Sequence, residues 1–300
     1  MNQLNELLQV NHQHNKKKIA VVQAADKEVL TAVIEAKERQ LGQFILYGNS
    51  GLIRKYLEEA GENFEQEGLV IIDAETPASA AKLAVRDVSS GNADVVMKGN
   101  IATSTLLKAV LEKQEGLRTE NVLSHVALFE VPGRDKTIIL TDAAMNIAPD
   151  LETKASIVHN AVQVAKSIGI LVPKVAALAA VEKVNPAMQA TIDAARLSDM
   201  QKQGKITDCI VDGPLAFDVA VSPEAAAQKN IKTETAGNAD VLLVPNIETG
   251  NALYKSFVYF AGAKVASVIA GARAPIVLTS RSDTAENKLY SLALALRTLL

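Results

Sequence analysis

HVALFEVPGRDKTIILTDAAMNIAP, residues 125–149, decides how this 300-residue chain is read. Two apolar, β-branched runs, His125–Glu130 and Thr137–Leu140, flank the segment Val131–Pro132–Gly133–Arg134–Asp135. Its Pro, Gly and Asp supply the backbone geometry of a chain reversal, so the stretch predicts an antiparallel hairpin. On either side the pattern is different. Short apolar runs at Lys18–Val22, Gln43–Tyr47, Leu69–Ile72 and Asp94–Met97 precede the hairpin. Others at Lys174–Leu178, Cys209–Val211, Asp240–Val244, Val265–Ile269 and Pro275–Thr279 follow it. Between them lie Ala-rich helical patterns such as Asp26–Gln40, Pro77–Ser90, Thr103–Lys113, Glu152–Ser167, Pro186–Lys202 and Thr284–Arg297. Strand–helix alternation of this kind means an α/β fold with mostly parallel sheets. A hairpin interrupting it marks a domain junction. The expected domains are 1–122, with 274–300 returning to it, and 123–273.

Composition narrows the function. Lys and Arg number 31 against 34 Asp and Glu, for a net charge of −3, and no basic cluster stands out. Phosphate-backbone binding needs concentrated cations, and single-strand binding needs aromatic platforms. With 4% aromatic residues and no Trp, the chain is not read as a nucleic-acid binder. No apolar run approaches the length of a membrane span. Met1–Lys18 is polar and lacks the apolar centre of a secretory signal, so a cytoplasmic protein without membrane partners is expected. Cys209 is the one cysteine, which excludes a disulfide framework and any multi-cysteine metal site.

Polar residues collect where the predicted strands end. Asp94–Met97 runs into Lys98–Gly99–Asn100, Thr137–Leu140 into Thr141–Asp142 and on to Asn146, and Cys209–Val211 into Asp212–Gly213–Pro214. Asp240–Val244 leads to Pro245–Asn246 and on to Gly250–Asn251, and Pro275–Leu278 to Thr279–Ser280–Arg281–Ser282–Asp283. Ligands of open parallel sheets bind beyond the carboxyl ends of the strands, where helix N-termini offer unpaired N–H groups. Helix capping alone would explain Ser282 or Asp283; Arg281 calls for an anion, and phosphate is the natural one. Lys98–Gly99–Asn100 with Thr103 and Ser104 reads as a second anion cradle, although the hydroxyls could be caps. Gly250 would let a ligand or a neighbouring backbone come close. The histidines say little: His12 and His14 lie in a terminus expected to fray, His125 starts a strand and His159 is mid-helix. Cys209 is expected to be a small core residue. There is no GxxxxGK[ST], no GxGxxG opening a helix after a strand, no HExxH and no GxSxG, so P-loop, Rossmann, zinc-hydrolase and hydrolase-elbow chemistries lack support.

From about Ala93 onward these segments resemble the phosphate acetyl-/butyryltransferase family. Thr141–Asp142–Ala143–Ala144–Met145–Asn146–Ile147–Ala148–Pro149, the run Asp212 to Asp218, the run Pro245 to Lys255, and Thr279–Ser280–Arg281 carry the resemblance, with most likeness to the butyryl branch. The resemblance implies two α/β/α domains of isocitrate-dehydrogenase-like type, an active site in the interdomain cleft, and a homo-oligomer, dimer or higher. It implies reversible conversion of butyryl-CoA, or a related short or branched acyl-CoA, and phosphate to acyl phosphate and CoA by direct transfer. Ser280 and Arg281 would handle thiol and phosphate. The base for the CoA thiol aligns at Asn287, with Asp283 or Glu286 as substitutes. Substrate-binding residues are expected among Lys98, Gly99, Asn100, Thr103, Ser104, Asp142, Asn146, Asp212, Gly213, Pro214, Gly250, Asn251, Tyr254 and Lys255. No metal and no tightly bound cofactor are expected; CoA is substrate and product. The alternatives are a phosphate acetyltransferase, a Mg²⁺- and NAD-dependent dehydrogenase with Asp142 and Asp212 as ligands, or a non-catalytic paralogue that binds CoA or phosphate.

Overall fold

The computed structural model describes residues 3–9, 17–63, 68–279 and 283–299. A 3₁₀ turn at Leu4–Leu8 is followed by β1 (Lys18–Val22), α1 (Lys27–Glu38), β2 (Gln43–Gly48), α2 (Ser50–Glu59), β3 (Leu69–Asp73), α3 (Pro77–Ser89), β4 (Val95–Lys98) and α4 (Thr103–Val110). Next come the hairpin strands β5 (Ser124–Glu130) and β6 (Ile138–Thr141), then α5 (Leu151–Ser167), β7 (Lys174–Leu178) and α6 (Gln189–Lys202). The chain continues through β8 (Ile210–Leu215), α7 (Phe217–Val221), α8 (Pro223–Gln228), β9 (Val241–Leu243) and α9 (Ile247–Tyr259). It closes with β10 (Lys264–Ala270), β11 (Ile276–Val277) and α10 (Ala285–Arg297). The fold is α/β with mostly parallel strand pairing.

The chain divides into two units, one built on Val122–Val265 and the other on Asn5–Asn121 with Ala266–Leu300. In the second of these the strand order is β3-β2-β1-β4-β11-β10, parallel except where β10 turns back on β11. Strands β1 and β4 are buried on both faces, as expected of strands covered by helices on each side. The short N-terminal turn belongs to this architecture. Leu7 is fully buried, the Tyr290 hydroxyl donates to Asn5 Oδ1 at 2.6 Å, and Arg297 donates to the Glu6 carbonyl at 3.2 Å. His12 and His14 lie outside the described residues.

In the Val122–Val265 unit the order is β5-β6-β9-β7-β8. β5 and β6 pair antiparallel, with Leu128 opposite Ile139, as the turn chemistry of Val131–Asp135 predicts. The remaining pairs are parallel. Ala127, Phe129, Leu140, Ala176 and Leu242 form the core, and Leu253, Tyr254 and Phe257 of α9 pack onto it.

β9 and β11 are shorter than expected, Val241–Leu243 and Ile276–Val277, and β8 is longer. β8 does not stop at Val211 but continues through Asp212, Gly213 and Pro214 to Leu215. Its register against β7 slips between Ala176 and Leu178, so that Asp212 faces Ala176 and Leu215 faces Leu178. Asp-Gly-Pro has the composition of a turn, but β8 is the outer strand of its unit's order, where an irregular ladder accommodates a residue lacking an N–H.

Candidate active site

The loop Thr141–Asn146 is held by one carboxylate. Asp142 is 3% exposed. Its Oδ1 accepts the backbone N–H groups of Ala144 and Met145 at 3.0 Å each and of His125 at 3.2 Å. Its Oδ2 accepts the Asn146 backbone N–H at 3.1 Å and the Asn146 side-chain amide at 2.6 Å. Five donors use up the lone pairs of an ionised carboxylate. Asp142 therefore shapes the loop, and the loop rather than the carboxylate is what can meet a ligand. The second hydrogen of the Asn146 amide goes to the Leu123 carbonyl at 2.9 Å, tying the loop to the start of β5.

α9 begins directly against this loop. Asn246 caps it by accepting from the Thr249 N–H at 3.0 Å. A Cβ on Gly250 would lie 2.6 Å from the Asp142 carbonyl and 2.8 Å from Ala143 Cα, so backbone, not ligand, occupies the space that glycine opens. One turn on, Tyr254 points inward, its ring 5.8 Å from that of His125 and edge-on to Phe129 at 5.2 Å. Asn251 and Lys255 lie on the exposed side of the same helix. Gly213 is likewise a packing residue, since a Cβ there would stand 2.8 Å from the Ala177 carbonyl. Pro214 is buried, and Asp212 accepts a short hydrogen bond from Thr233 Oγ1.

Nothing local in the sequence distinguishes His125. It is 4% exposed, and burial holds its imidazole below the usual range although the neighbouring Asp142 pulls the other way. Folding thus favours the neutral ring, while an unfolded chain takes up a proton near the ordinary value of 6.5. Stability from this residue is fully present above that value and declines as the pH falls below it. The expected result is that urea midpoints fall from about pH 7 to about pH 5 more steeply in the native protein than in His125→Phe. Equal slopes would remove His125 from the account.

In the other unit the end of β4 stays against β1. Gly99 and Asn100 donate to the Val22 and Gln23 carbonyls at 2.8 and 2.9 Å, an approach only glycine permits at 99. The Lys98 ammonium is buried and donates to the Gly99 carbonyl at 3.3 Å. The caps of α4 are informative. α1, α2, α5, α9 and α10 are capped by the side chains of Asp26, Asn49, Asp150, Asn246 and Thr284. The residue at the cap of α4 is Ala102, which cannot cap, and Thr103 and Ser104 stand exposed in the first turn. The hydroxyls there are not caps, and among the described residues no side chain accepts from the first N–H groups of α4; the cap positions of α6 and α7, Met188 and Ala216, likewise make no side-chain cap bond.

At the last helix the cap is Thr284, not Asp283. Thr284 Oγ1 accepts from the Asn287 N–H at 3.2 Å, and Asn287 is 9% exposed. Glu286 accepts the Tyr290 hydroxyl at 3.0 Å, and the Asp283 carbonyl accepts a short hydrogen bond from buried Lys288. Ser280, Arg281 and Ser282 lie outside the described residues. Cys209 is buried, and burial with Asp208 nearby pushes its thiol up to about 11, so it is no nucleophile.

The sequence pattern of the phosphate acetyl/butaryl transferase family matches residues 3–296. The chain belongs to this family. It is 57% identical over 283 residues to the probable phosphate butyryltransferase of Bacillus subtilis strain 168, covering 94% of this chain and 93% of that one. It is 45% identical over 291 residues to the phosphate butyryltransferase of Clostridium acetobutylicum, covering 97% and 96%. Among solved structures, a branched-chain phosphotransacylase from Enterococcus faecalis V583 superimposes with a TM-score of 0.82 at 38% identity, covering 95% of this chain and 99% of that one. Family membership makes the chain a phosphate acyltransferase, and the Asp142 loop and the α9 turn are two of the segments that carry the resemblance.

Proposed function

We propose that the enzyme moves a butyryl or similarly short, branched acyl group between CoA and inorganic phosphate, and that phosphate attacks the thioester directly. The identity to phosphate butyryltransferases along nearly the whole chain carries this reading. The chemistry needs a cation for phosphate, donors for the oxyanion that forms at the thioester carbon, and help for the departing thiolate. Arg281 is assigned the phosphate, which a guanidinium grips through two parallel N–H bonds. Ser280 is assigned the thiolate, whose pKa is low enough that a hydroxyl hydrogen bond suffices. The open first turn of α4, with Gly99, Thr103 and Ser104, supports a second anion contact for either substrate. In the reverse direction the thiol must lose its proton. An Asn287 amide cannot take it, so a carboxylate of the same segment, Asp283 or Glu286, is assigned the base.

CoA acts here as substrate and product, with no cofactor held between turnovers. No described helix is long and apolar enough to cross a membrane. A cytoplasmic homo-oligomer is the assembly this reading takes. The test is phosphate-dependent release of CoA thiol from acetyl-, propionyl-, butyryl-, isobutyryl- and valeryl-CoA. The expected result is a maximum kcat/KM at four or five acyl carbons, about tenfold or more above acetyl-CoA, since each buried methylene contributes about 0.8 kcal/mol. A maximum at acetyl-CoA would make the enzyme an acetyltransferase, and NADH formation without thiol release would make it a dehydrogenase.

A further inference from the structure

Lys154 of α5 and Asp193 of α6 form an ion pair that the transfer chemistry above does not use. Lys154 Nζ lies 2.6 Å from Asp193 Oδ2, and the two side chains are 6% and 7% exposed. Gln189, on the surface, donates through Nε2 to Asp193 Oδ1 at 2.8 Å and closes the network from outside. We propose that this network is a positioning device for the turn Val244–Pro245–Asn246, and through it for the loop held by Asp142.

Three observations converge on that turn. The pair lines a hollow together with Leu178, Val244 and Pro245. The hollow measures about 10 Å³, space for one water at most, so the pair is argued to act through what it packs against. The Val244 N–H donates to the Thr141 carbonyl at 2.8 Å, and Asn246 caps α9. Gly250 of α9 then rests on the Asp142 carbonyl. The path from buried charge to motif loop is contiguous and lies within the Val122–Val265 unit.

A charged pair is a poor choice if filling were all that mattered. Removing both charges from water costs as much as their attraction returns, and apolar residues of like volume do as well or better. What a hydrogen-bonded pair offers is one geometry. Apolar side chains at 154 and 193 could slide; an ammonium fixed to a carboxylate whose other oxygen is held by Gln189 cannot.

The inference rests on the proposed transfer reaction for its main readout. In Lys154→Met/Asp193→Leu the melting temperature is expected at or above that of the native enzyme, with kcat lower by about tenfold or more and both KM values within about threefold. A stable double variant with kcat within about twofold of native overturns the proposal. Should that variant not fold, Gln189→Ala decides. Its surface position spares folding, kcat is expected to drop about threefold at unchanged melting temperature, and an unchanged kcat overturns the proposal. If the native enzyme releases no thiol, the transfer reading fails first. Amide exchange at Asn246–Thr249 then decides: faster exchange in the double variant supports positioning, and equal exchange overturns it.

Discussion

Asp142→Ala is expected to destabilise the protein by about 3 kcal/mol or more and to abolish turnover. The carboxylate accepts from four backbone N–H groups and one side-chain amide. Truncation leaves those donors without an acceptor, each at a cost of about 1–3 kcal/mol where water cannot replace it. The His125 bond is buried and the others are part-buried, so water recovers a fraction, and the sum falls well short of five full penalties. Asp142→Asn is the informative companion. It keeps the shape but turns an amide N–H₂ toward donors, and should recover about half of the loss. Urea unfolding with an unchanged m-value is the measurement. A loss below about 1 kcal/mol in the alanine variant would mean that the loop holds itself.

The second large effect belongs to Arg281. On the proposed assignment, Arg281→Ala lowers kcat/KM for phosphate by about 10²–10³, the range for losing one preorganised donor to a developing or bound anion. Arg281→Lys restores the charge without the two-pronged geometry and is expected to recover only part of it. Binding of CoA, followed by calorimetry without phosphate, should change little. An alanine variant with native phosphate kinetics would remove Arg281 from the site and leave the open turn of α4 as the anion contact to examine.

The fold was largely readable because its signals are local. β1, β2, β4 and β7 follow from short apolar runs bounded by polar residues, and the β5–β6 hairpin from Pro132–Gly133. Local signals mislead where tertiary context overrides them. Asp212–Gly213–Pro214 has turn composition, yet it lies inside a strand because that strand is an outer one and its ladder slips. Asp283 is a good cap in isolation, but Thr284 caps the helix.

Within the candidate site the positions of the motif loops were legible and the division of labour was not. Asp142 reads as a ligand and serves as a clamp; Gly250 reads as a close approach of ligand or backbone, and the structure shows the backbone one. Lys154 and Asp193 are 39 residues apart, and no short-range pattern pairs them. A signal did exist. Lys154 falls on the apolar stripe with Ile157, Val158 and Ala161, and Asp193 on that with Ala194 and Leu197. A charge on a buried stripe needs a counter-charge, and each of these two stripes carries one of opposite sign.

Cys209 has a practical meaning for all of these measurements. The chain carries a single sulfhydryl, walled in and reluctant to ionise. Colorimetric disulfide reagents added to the folded enzyme therefore meet almost no background from the protein itself. Every equivalent that reacts quickly reports liberated coenzyme, and slow colour appearing later times the opening of the fold.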